Sequence, residues 1–587
     1  MIKGSLVKAG AALLLALVGT LPAGSSSAST SPSQGATAQV LGGATHRSVA
    51  PPAAPTQHHR ASPFQLEPIS RLGRVAPPKP GTPPFRGGVR PKASAPQAGG
   101  GPLAPASASS PNIALLGGLN RPGIAASANS FQTTPPDSTG AVGPNNYVEM
   151  ANSIIHVWDR SLNSVASTDF STFVGITDPW CDPQVQWDPT AGRWLFVILL
   201  CNGTSATPQG FVIGWSRTSD PSALSPAGWC DFGVDTGTRL FDYPKLGHNT
   251  NYLIVGGNFY DFGISLSNPP FVGAALAWLS LPSNGDTTCP IGTFNHVISL
   301  VNGDGVTNTF TPVPVNTDSA AGNGYIVSAY DAAGNTGQAA APKNKLAVWH
   351  IDSTGAFHQD SDISVNTYSA PPAAAQLGTS DVLDTLDGRL TQAVGDPTTG
   401  IWTQHTVLNG GVSKVTWYEL ALSGPALTLI QEGDVMGVSG EYIFDAAISP
   451  SYNGYGAAIF YTRSSTTIHP LIGARLRTTS TPLGTMESGE LVLASSSAAD
   501  TDFSCIPSGG GPPCRWGDYS GASPDPVQPF AVWGTSEFNT ASGPTPAWQN
   551  ENFAVMTTTR PVAQSSAGSP PARSPVDQGP SGTPGPR

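Results

Sequence analysis

Charged residues are scarce in this chain, and basic residues are the scarcer kind. Only 11% of the 587 residues are charged, and 27 Lys and Arg stand against 38 Asp and Glu, which gives a formal net charge of -11. A nucleic-acid-binding surface needs a stripe of basic side chains that neutralise phosphates, and the sequence contains few basic clusters. The composition therefore argues against nucleic acid as a partner and favours a neutral or cationic one.

Long hydrophobic runs are also missing. The apolar run from Ala11 to Val18 follows Lys3 and Lys8 and precedes the small residues Ser26-Ser27-Ala28, which is the order of a secretory signal peptide. This run is too short to span a bilayer, and no later segment is long and apolar enough. The sequence predicts a signal peptide over residues 1–28 and a secreted, extracellular protein without a membrane span.

Apolar side chains are sparse on both sides of the central region. Residues 29–111 and the tail over residues 561–587 consist largely of Pro, Ala, Ser and Gly. Such segments cannot bury enough apolar area to offset the entropy lost on ordering, so we expect both to be disordered. Residues 112–560 are left as one large folded domain, which we expect to be a monomer.

Cysteines are few, and none is spaced as a metal ligand. Six cysteines in an exported chain indicate three disulfides, although their spacing alone allows fifteen pairings. No Cys-x-x-Cys pair with a histidine partner is present, which argues against a zinc site. The pairing that we favour is Cys181 with Cys201, Cys230 with Cys289, and Cys505 with Cys514.

Seven related segments fill the folded region. Each has an opener, which is aspartate in six of the seven, then a short apolar strand, a turn and a second strand. A third strand follows and ends on Trp in five of the segments. The recurrence matches the size of four-stranded units carrying loop insertions. The closing tryptophans are Trp158, Trp215, Trp278, Trp349 and Trp417.

A single such unit would be a small twisted sheet with two hydrophobic faces, so it needs a similar unit on either side. A closed ring supplies both neighbours to every unit, whereas an open stack would need polar caps that the sequence lacks. We therefore predict an all-β, seven-bladed β-propeller in which a strand after Asn112 completes the last blade. A tandem of β-sandwiches is the alternative, but it predicts no sevenfold repeat.

Several motifs also resemble those of a known family. They are Pro135-Pro-Asp-Ser-Thr-Gly, Asp182-Pro-Gln-Val-Gln-Trp, Asp242-Tyr-Pro-Lys-Leu-Gly and Arg515-Trp-Gly-Asp-Tyr-Ser-Gly. Together they resemble a family of large secreted bacterial proteins, mostly uncharacterised and loosely described as sialidase-like. The resemblance implies a secreted propeller and carries no established substrate. True sialidases carry Asp-boxes of the form Ser-x-Asp-x-Gly-x-x-Trp, and this chain has none.

The repeated aspartates are the main candidate site. In a propeller the first strand of each blade lines the central channel, so the openers should form a ring at one mouth. Such a ring could hold Ca²⁺ through hard oxygen ligands, or each aspartate could simply cap a turn. The six ring residues are Asp137, Asp182, Asp242, Asp387, Asp445 and Asp518.

Other side chains near this mouth suggest a carbohydrate ligand. Arg239, Arg389 and Arg515 could hold a substrate carboxylate, and Tyr243 and Tyr519 could stack on sugar rings. We expect them to bind a ligand together with Asp182, Asp242 and Asp387.

Three classes of function remain open. The first is an exported module that binds an extracellular ligand, which we expect to be carbohydrate, at the channel mouth. The second is a glycoside hydrolase or polysaccharide lyase that uses a rim acid pair, for which Asp518, Asp445 and Glu441 are the catalytic candidates. The third is an adhesion or protein-interaction scaffold that binds a protein partner.

Overall fold

The folded region consists of seven small antiparallel sheets that follow one another around a ring. The computed structural model describes residues 65–67, 88–91, 113–129, 131–201, 209–266, 269–317, 322–396, 400–423, 426–505 and 513–557. All of these belong to one unit, Ser62–Arg587. The expected signal peptide and most of residues 29–111 and 558–587 lie outside the described residues, so those expectations stay predictions.

Four strands precede blade 1 in the chain: β1 (Gln65–Glu67), β2 (Gly88–Pro91), β3 (Ala114–Ala125) and β4 (Phe131–Thr134). Strand β1 extends the second blade, and β2 pairs with β4 in a separate ribbon. A 3-10 turn, Ala126–Ala128, follows β3.

The blades follow in chain order. Blade 1 contains β5 (Thr139–Val142), β6 (Asn146–Ala151), β7 (Ile154–Asp159) and β8 (Ser164–Asp169), and the short helix α1 (Phe170–Val174) comes after it. Blade 2 contains β9 (Trp180–Asp188), β10 (Arg193–Leu200), β11 (Gln209–Ser216) and β12 (Trp229–Gly237). Blade 3 contains β13 (Arg239–His248), β14 (Tyr252–Asp261), β15 (Phe271–Ser280) and β16 (Phe294–Ile298).

The later blades have the same order. Blade 4 contains β17 (Val313–Pro314), β18 (Gly324–Ala329), β19 (Lys343–Ile351), β20 (Phe357–Gln359) and β21 (Ile363–Tyr368). Blade 5 contains β22 (Leu390–Gly395), β23 (Gly400–Asn409), β24 (Val412–Ser423) and β25 (Ala426–Val435). Blade 6 contains β26 (Tyr442–Pro450), β27 (Gly456–Ser465), β28 (Ile468–Thr478) and β29 (Leu491–Ser495), and blade 7 contributes β30 (Gly521–Pro524), β31 (Ala531–Asn539) and β32 (Trp548–Met556).

The ring closes through a strand exchange between the two ends of the folded region. Strand β3 pairs antiparallel with β32 and so becomes the fourth strand of blade 7. The first strands of the blades contact one another in cyclic order, with β30 beside β5. The predicted seven-bladed β-propeller is therefore confirmed, including its closure by a strand after Asn112.

Hydrophobic clusters fill the interfaces between neighbouring blades. One cluster joins blades 1 and 2, another joins blades 2 and 3, and the series continues around the ring to blades 7 and 1. The tryptophans that end the third strands belong to these clusters, and Trp215, Trp349 and Trp417 are fully buried. Burial of apolar area between blades is thus the main stabilising contribution that each blade receives from its neighbours.

In six of the seven blades a left-handed backbone residue lies just before the first strand or within its first half. Positive φ angles occur at Asp137 (47°), Asp182 (47°), Tyr243 (58°), Thr311 (57°), Leu386 (62°) and Asp445 (42°). Several of these lie beside register shifts in the pairing of the first and second strands. Aspartate tolerates this conformation better than most residues, which gives a backbone reason for the opener in blades 1, 2 and 6. In blades 3 and 5 the left-handed residue is Tyr243 or Leu386, next to the opener aspartate.

Three disulfides join Cys181 to Cys201, Cys230 to Cys289, and Cys505 to Cys514, the three pairs expected from the sequence. The first links the beginning of β9 to the end of β10, and the second links blade 2 to the loop between β15 and β16 of blade 3. No helix within the described ranges is long and apolar enough to cross a membrane.

Candidate functional site

The channel end at which the first strands begin is the acidic mouth, and the repeated aspartates gather there. Asp182 interacts electrostatically with Asp137, Asp242 and Asp518. Asp445 interacts with Asp137 and Asp518 as well. The structure therefore brings together carboxyl groups from blades 1, 2, 3, 6 and 7, and blade 4 has Thr311 in the equivalent place.

Asp137 connects three blades through its hydrogen bonds. Its Oδ1 accepts the backbone N–H of Asp518 at 2.8 Å, and its Oδ2 accepts the Asn152 side-chain amide at 2.7 Å. The Asn152 Oδ1 in turn accepts the backbone N–H of Asp182 at 2.8 Å. These contacts join blades 1, 2 and 7, so Asp137 does more than cap a turn within its own blade.

Burial changes the acidity of this cluster. Desolvation, followed by the charge of Asp518, raises the pKa of Asp137 to about 7. Desolvation also raises the pKa of Asp445 to about 8, with the neighbouring Asp137 and Asp518 acting in the same direction. The pKa of Asp182 is raised well above its usual value, first by burial and then by Asp137 and Asp242. Burial and the neighbouring carboxyls therefore favour the protonated forms of Asp137, Asp182 and Asp445.

Two tyrosines close the channel beneath the aspartates. The Tyr243 hydroxyl of blade 3 donates to the Asp518 carbonyl of blade 7 at 2.6 Å. The Tyr519 hydroxyl donates to the Pro183 carbonyl of blade 2 at 3.0 Å. The two rings meet edge to face with centroids 5.6 Å apart, and both residues are at most 2% exposed. They form the floor of the mouth, a position in which a ligand outside the channel meets little of either ring.

A lysine lies between these rings. The Lys245 Nζ is 3.8 Å from the centroid of Tyr243 and 3.5 Å from that of Tyr519. The residue is 1% exposed, and no described residue accepts a hydrogen bond from its amine. Burial lowers the pKa of Lys245 well below its usual value, while Asp518, Asp182 and Asp137 oppose this shift. The amine lies against both rings and beside the acidic cluster, which favours its charged form against the effect of burial.

The three arginines expected at the mouth each have an acidic neighbour. Arg389 donates to both Asp387 oxygens, at 2.8 and 2.5 Å. Arg515 donates to Asp518 at 2.6 Å. The Arg239 Nε lies 3.6 Å from the Asp261 carboxylate, at the outer part of blade 3. Each guanidinium therefore has a carboxylate partner within the protein.

Glu441, the third catalytic candidate, lies apart from Asp445 and Asp518 in its contacts. Its Oε1 accepts from Arg463 at 2.9 Å, and Arg463 also pairs with Glu490 at 2.7 Å. Asp445 instead accepts the Ser520 hydroxyl at 2.9 Å and sits beside Asp518 in the cluster.

Calcium binding by the ring stays a prediction. Among the described aspartates of the ring, no three place one carboxylate oxygen each within 4.8 Å of the others. A calcium ion would need several oxygen ligands at 2.3–2.6 Å. The side chains would therefore have to move together around the ion.

The opposite channel end differs in chemistry. A small depression there, with about 30 Å³ of free volume, is lined by Trp187, His248, Asn316, Tyr452 and prolines, without a charged carboxyl or guanidinium group. The backbone of Asn316 bridges to His248 and Val394, which draws blades 3, 4 and 5 together. The lining of this depression therefore lacks the charged groups that are characteristic of the acidic mouth.

Several residues of the mouth were not predicted from the sequence. Lys245 stands two positions after Tyr243 within the quoted motif, and its place on a first strand could have identified it. Glu537 lies on the second strand of blade 7, where its carboxylate accepts the Gly517 backbone N–H. Desolvation and the nearby Asp445 raise the pKa of Glu537 well above its usual value. No repeated pattern marks Glu537 or Asn152.

Comparisons with known proteins show low similarity. No protein-family model matches the chain, and no curated protein matches it. A solved structure of a Dyadobacter fermentans protein of unknown function is 13% identical, with a TM-score of 0.34, and the match covers 64% of this chain and 94% of that one. A Trypanosoma rangeli sialidase in complex with sialic acid is 10% identical, with a TM-score of 0.34, covering 65% and 55%. A thermostable family-43 glycoside hydrolase is 12% identical, with a TM-score of 0.25, covering 52% and 95%.

Proposed function

We propose that this protein binds an extracellular carbohydrate at the acidic mouth of the propeller, and that the ligand is a neutral or an amino sugar. The observation that supports this most directly is the arrangement of charge. Asp182, Asp242 and Asp518 are only partly buried, while the floor beneath them is closed. Partly exposed carboxylates can accept hydrogen bonds from sugar hydroxyl or ammonium groups.

The ion pairs that Arg389 and Arg515 form indicate which sugars the acidic mouth favours. A uronic or sialic acid would bring a carboxylate towards a cluster in which carboxyl groups outnumber Lys245, Arg389 and Arg515. Because Arg389 and Arg515 already donate to Asp387 and Asp518, capture of that carboxylate would break an existing ion pair. Removing one partner of a buried pair costs several kcal/mol, about 3–5 in measured cases. The same negative charge favours an ammonium group.

The proposal is tested by titrating the full-length protein with chitosan oligosaccharides, neutral cello-oligosaccharides and oligogalacturonates in a calorimeter. Binding of a neutral or amino sugar, with no binding of oligogalacturonates, is the expected result. Asp182→Asn and Asp242→Asn should each weaken binding about tenfold, the effect of losing one hydrogen bond. Asp286→Asn, in the loop between β15 and β16 of blade 3, is the matched control. Selective binding of the acidic oligosaccharide would contradict the proposal.

Glycoside hydrolysis is a second candidate, favoured by the different states of two neighbouring acids. Burial raises the pKa of Asp445 to about 8, as a general acid requires, and Asp518 is ion-paired with Arg515. Asp445 is 4% exposed, so a substrate could reach it only past the rim. Release of reducing sugar that disappears in Asp518→Asn, while binding is retained, would establish this activity; a binding module should release none.

A further inference from the structure

A cavity of ligand size lies away from the acidic mouth, on the outer side of blades 4 to 6. Its volume is about 380 Å³, within the range of about 300–1,000 Å³ that is usual for small-molecule sites. Strand β21 of blade 4 forms one wall, β24 and β25 of blade 5 form the base, and a loop of blade 6 closes the far side. We call this cavity the outer groove.

The base of the outer groove is polar because of strand register. Thr416 pairs with Asp434 and Tyr418 pairs with Glu432 across β24 and β25. Side chains alternate along a strand, so Lys414, Thr416 and Tyr418 share one face with their two acidic partners. One face of blade 5 thus presents donors and acceptors side by side.

The charges in the groove are already compensated within the protein. The Lys414 Nζ donates to Asp434 at 2.6 Å, and the Thr416 hydroxyl donates to the other Asp434 oxygen at 2.7 Å. Glu432 accepts the backbone N–H of Asn366 at 3.0 Å. Arg475 also lines the groove, so the lining contains two carboxylates and two cations.

These polar groups are nevertheless reachable. The Lys414 and Asp434 side chains are 22% and 31% exposed, and Met436 at the rim is 48% exposed. A ligand can therefore contact both the paired charges and an apolar side chain. A sugar ring offers the matching surfaces, because its hydroxyls both donate and accept while its C–H groups are apolar.

The floor is rigid and uncharged. The Tyr418 hydroxyl contacts the imidazole of His405. The His405 Nδ1 lies 2.7 Å from the Gly388 carbonyl, and its Nε2 lies 2.9 Å from the Tyr418 hydroxyl. A carbonyl can only accept, so Nδ1 carries the proton and Nε2 accepts from Tyr418. The Tyr368 hydroxyl is held by the Lys345 carbonyl at 2.9 Å. Both tyrosines therefore keep their orientation beneath a ligand.

From this cavity, its balanced charges and its fixed floor, we propose that the outer groove is a second binding site and that it takes a neutral oligosaccharide. The lining has no net formal charge to attract an acidic or a basic ligand, whereas a neutral sugar can bridge Lys414, Asp434 and Glu432. This second site is independent of the acidic mouth. The two sites differ in charge, because acidic groups are in excess at the mouth and are matched by cations in the groove.

The first experiment applies the full-length protein to an array of neutral, amino and acidic oligosaccharides, and then measures the affinity of the neutral binders by calorimetry. Glu432→Gln and Asp434→Asn should each lower the affinity for a neutral oligosaccharide at least tenfold. Glu432→Gln is nearly isosteric and keeps an acceptor for Asn366, so the fold should be retained and circular dichroism should be unchanged.

Two further variants serve as controls, one outside the groove and one at the acidic mouth. Asp352→Asn removes a carboxylate contact to His358 at 3.0 Å in blade 4, outside the groove lining, and should leave the affinity unchanged. Asp182→Asn should weaken only a ligand bound at the acidic mouth. The proposal is overturned if no neutral oligosaccharide binds, or if binding survives both groove variants; loss of binding in Asp182→Asn alone would assign the ligand to the mouth instead.

Discussion

The buried carboxyl of Asp445 should make the protein less stable as the pH rises towards neutrality. An aspartate in an unfolded chain has a pKa of about 3.9, whereas the pKa of Asp445 in the folded protein is raised to about 8 by burial. Between these values the folded state holds a proton that the unfolded state releases. Stability is therefore greatest below the unfolded pKa and is lost as the pH rises through the folded one.

The size of the effect follows from proton linkage. A group that is protonated only in the folded state lowers the free energy of unfolding by about 1.4 kcal/mol for each unit of rising pH. Asp445 alone should therefore lower it by about 3 kcal/mol between pH 5 and pH 7. Asp445→Asn removes the titration and keeps an acceptor for the Ser520 hydroxyl. Between pH 5 and pH 7 the free energy of unfolding should therefore fall by about 3 kcal/mol less in the variant than in the parent protein.

Urea unfolding of both proteins at pH 5 and pH 7, followed by tryptophan fluorescence, measures this difference. Asp286→Asn is the control, because Asp286 is exposed and has a lowered pKa, so it is ionised in both states across the interval. An equal pH dependence in the parent and in Asp445→Asn would refute the assignment of a buried, protonated carboxyl at this position.

Three further perturbations test the packing around the channel and the closure of the ring. Tyr243→Phe removes the donor to the Asp518 carbonyl and should lower the free energy of unfolding, measured in urea, by about 1 kcal/mol, with unchanged circular dichroism. Cys230→Ser should destabilise by about 2–5 kcal/mol, since the bond to Cys289 joins blades 2 and 3, and reductant should then have a smaller further effect than on the parent. Deleting Ala114–Ala125 removes the fourth strand of blade 7 and should speed limited proteolysis of that blade; unchanged proteolysis would show that closure does not stabilise it.

Much of the fold could be predicted from the sequence because its signals are local and repeated. Each unit carries its own strands, turns and interface tryptophan, so the same short-range pattern occurs in every blade. Strand β3 was also predictable, since the last blade has only three strands of its own. The left-handed backbone at Asp137, Asp182 and Asp445, by contrast, is a structural reason for aspartate that only the coordinates reveal.

The site was less predictable, because its members come from different blades. Asp137, Asp445 and Asp518 share a repeated position, and the structure brings them together as the repeat indicates. Glu537 lies on a second strand, and nothing in its local sequence places it near Asp445. The outer groove was not anticipated at all, since it depends on the spacing between the outer strands of adjacent blades.

The sequence by itself determined the number of blades, the place of ring closure and the position of the aspartates at one end of the channel. Only the tertiary structure decided their chemistry. Burial and mutual repulsion raise the pKa values of Asp137 and Asp445, and the pairing of Arg389 and Arg515 decides which charges remain for a ligand. The physical reason is that blade number follows from short-range patterns, whereas solvation and charge pairing depend on distances between segments far apart in the chain.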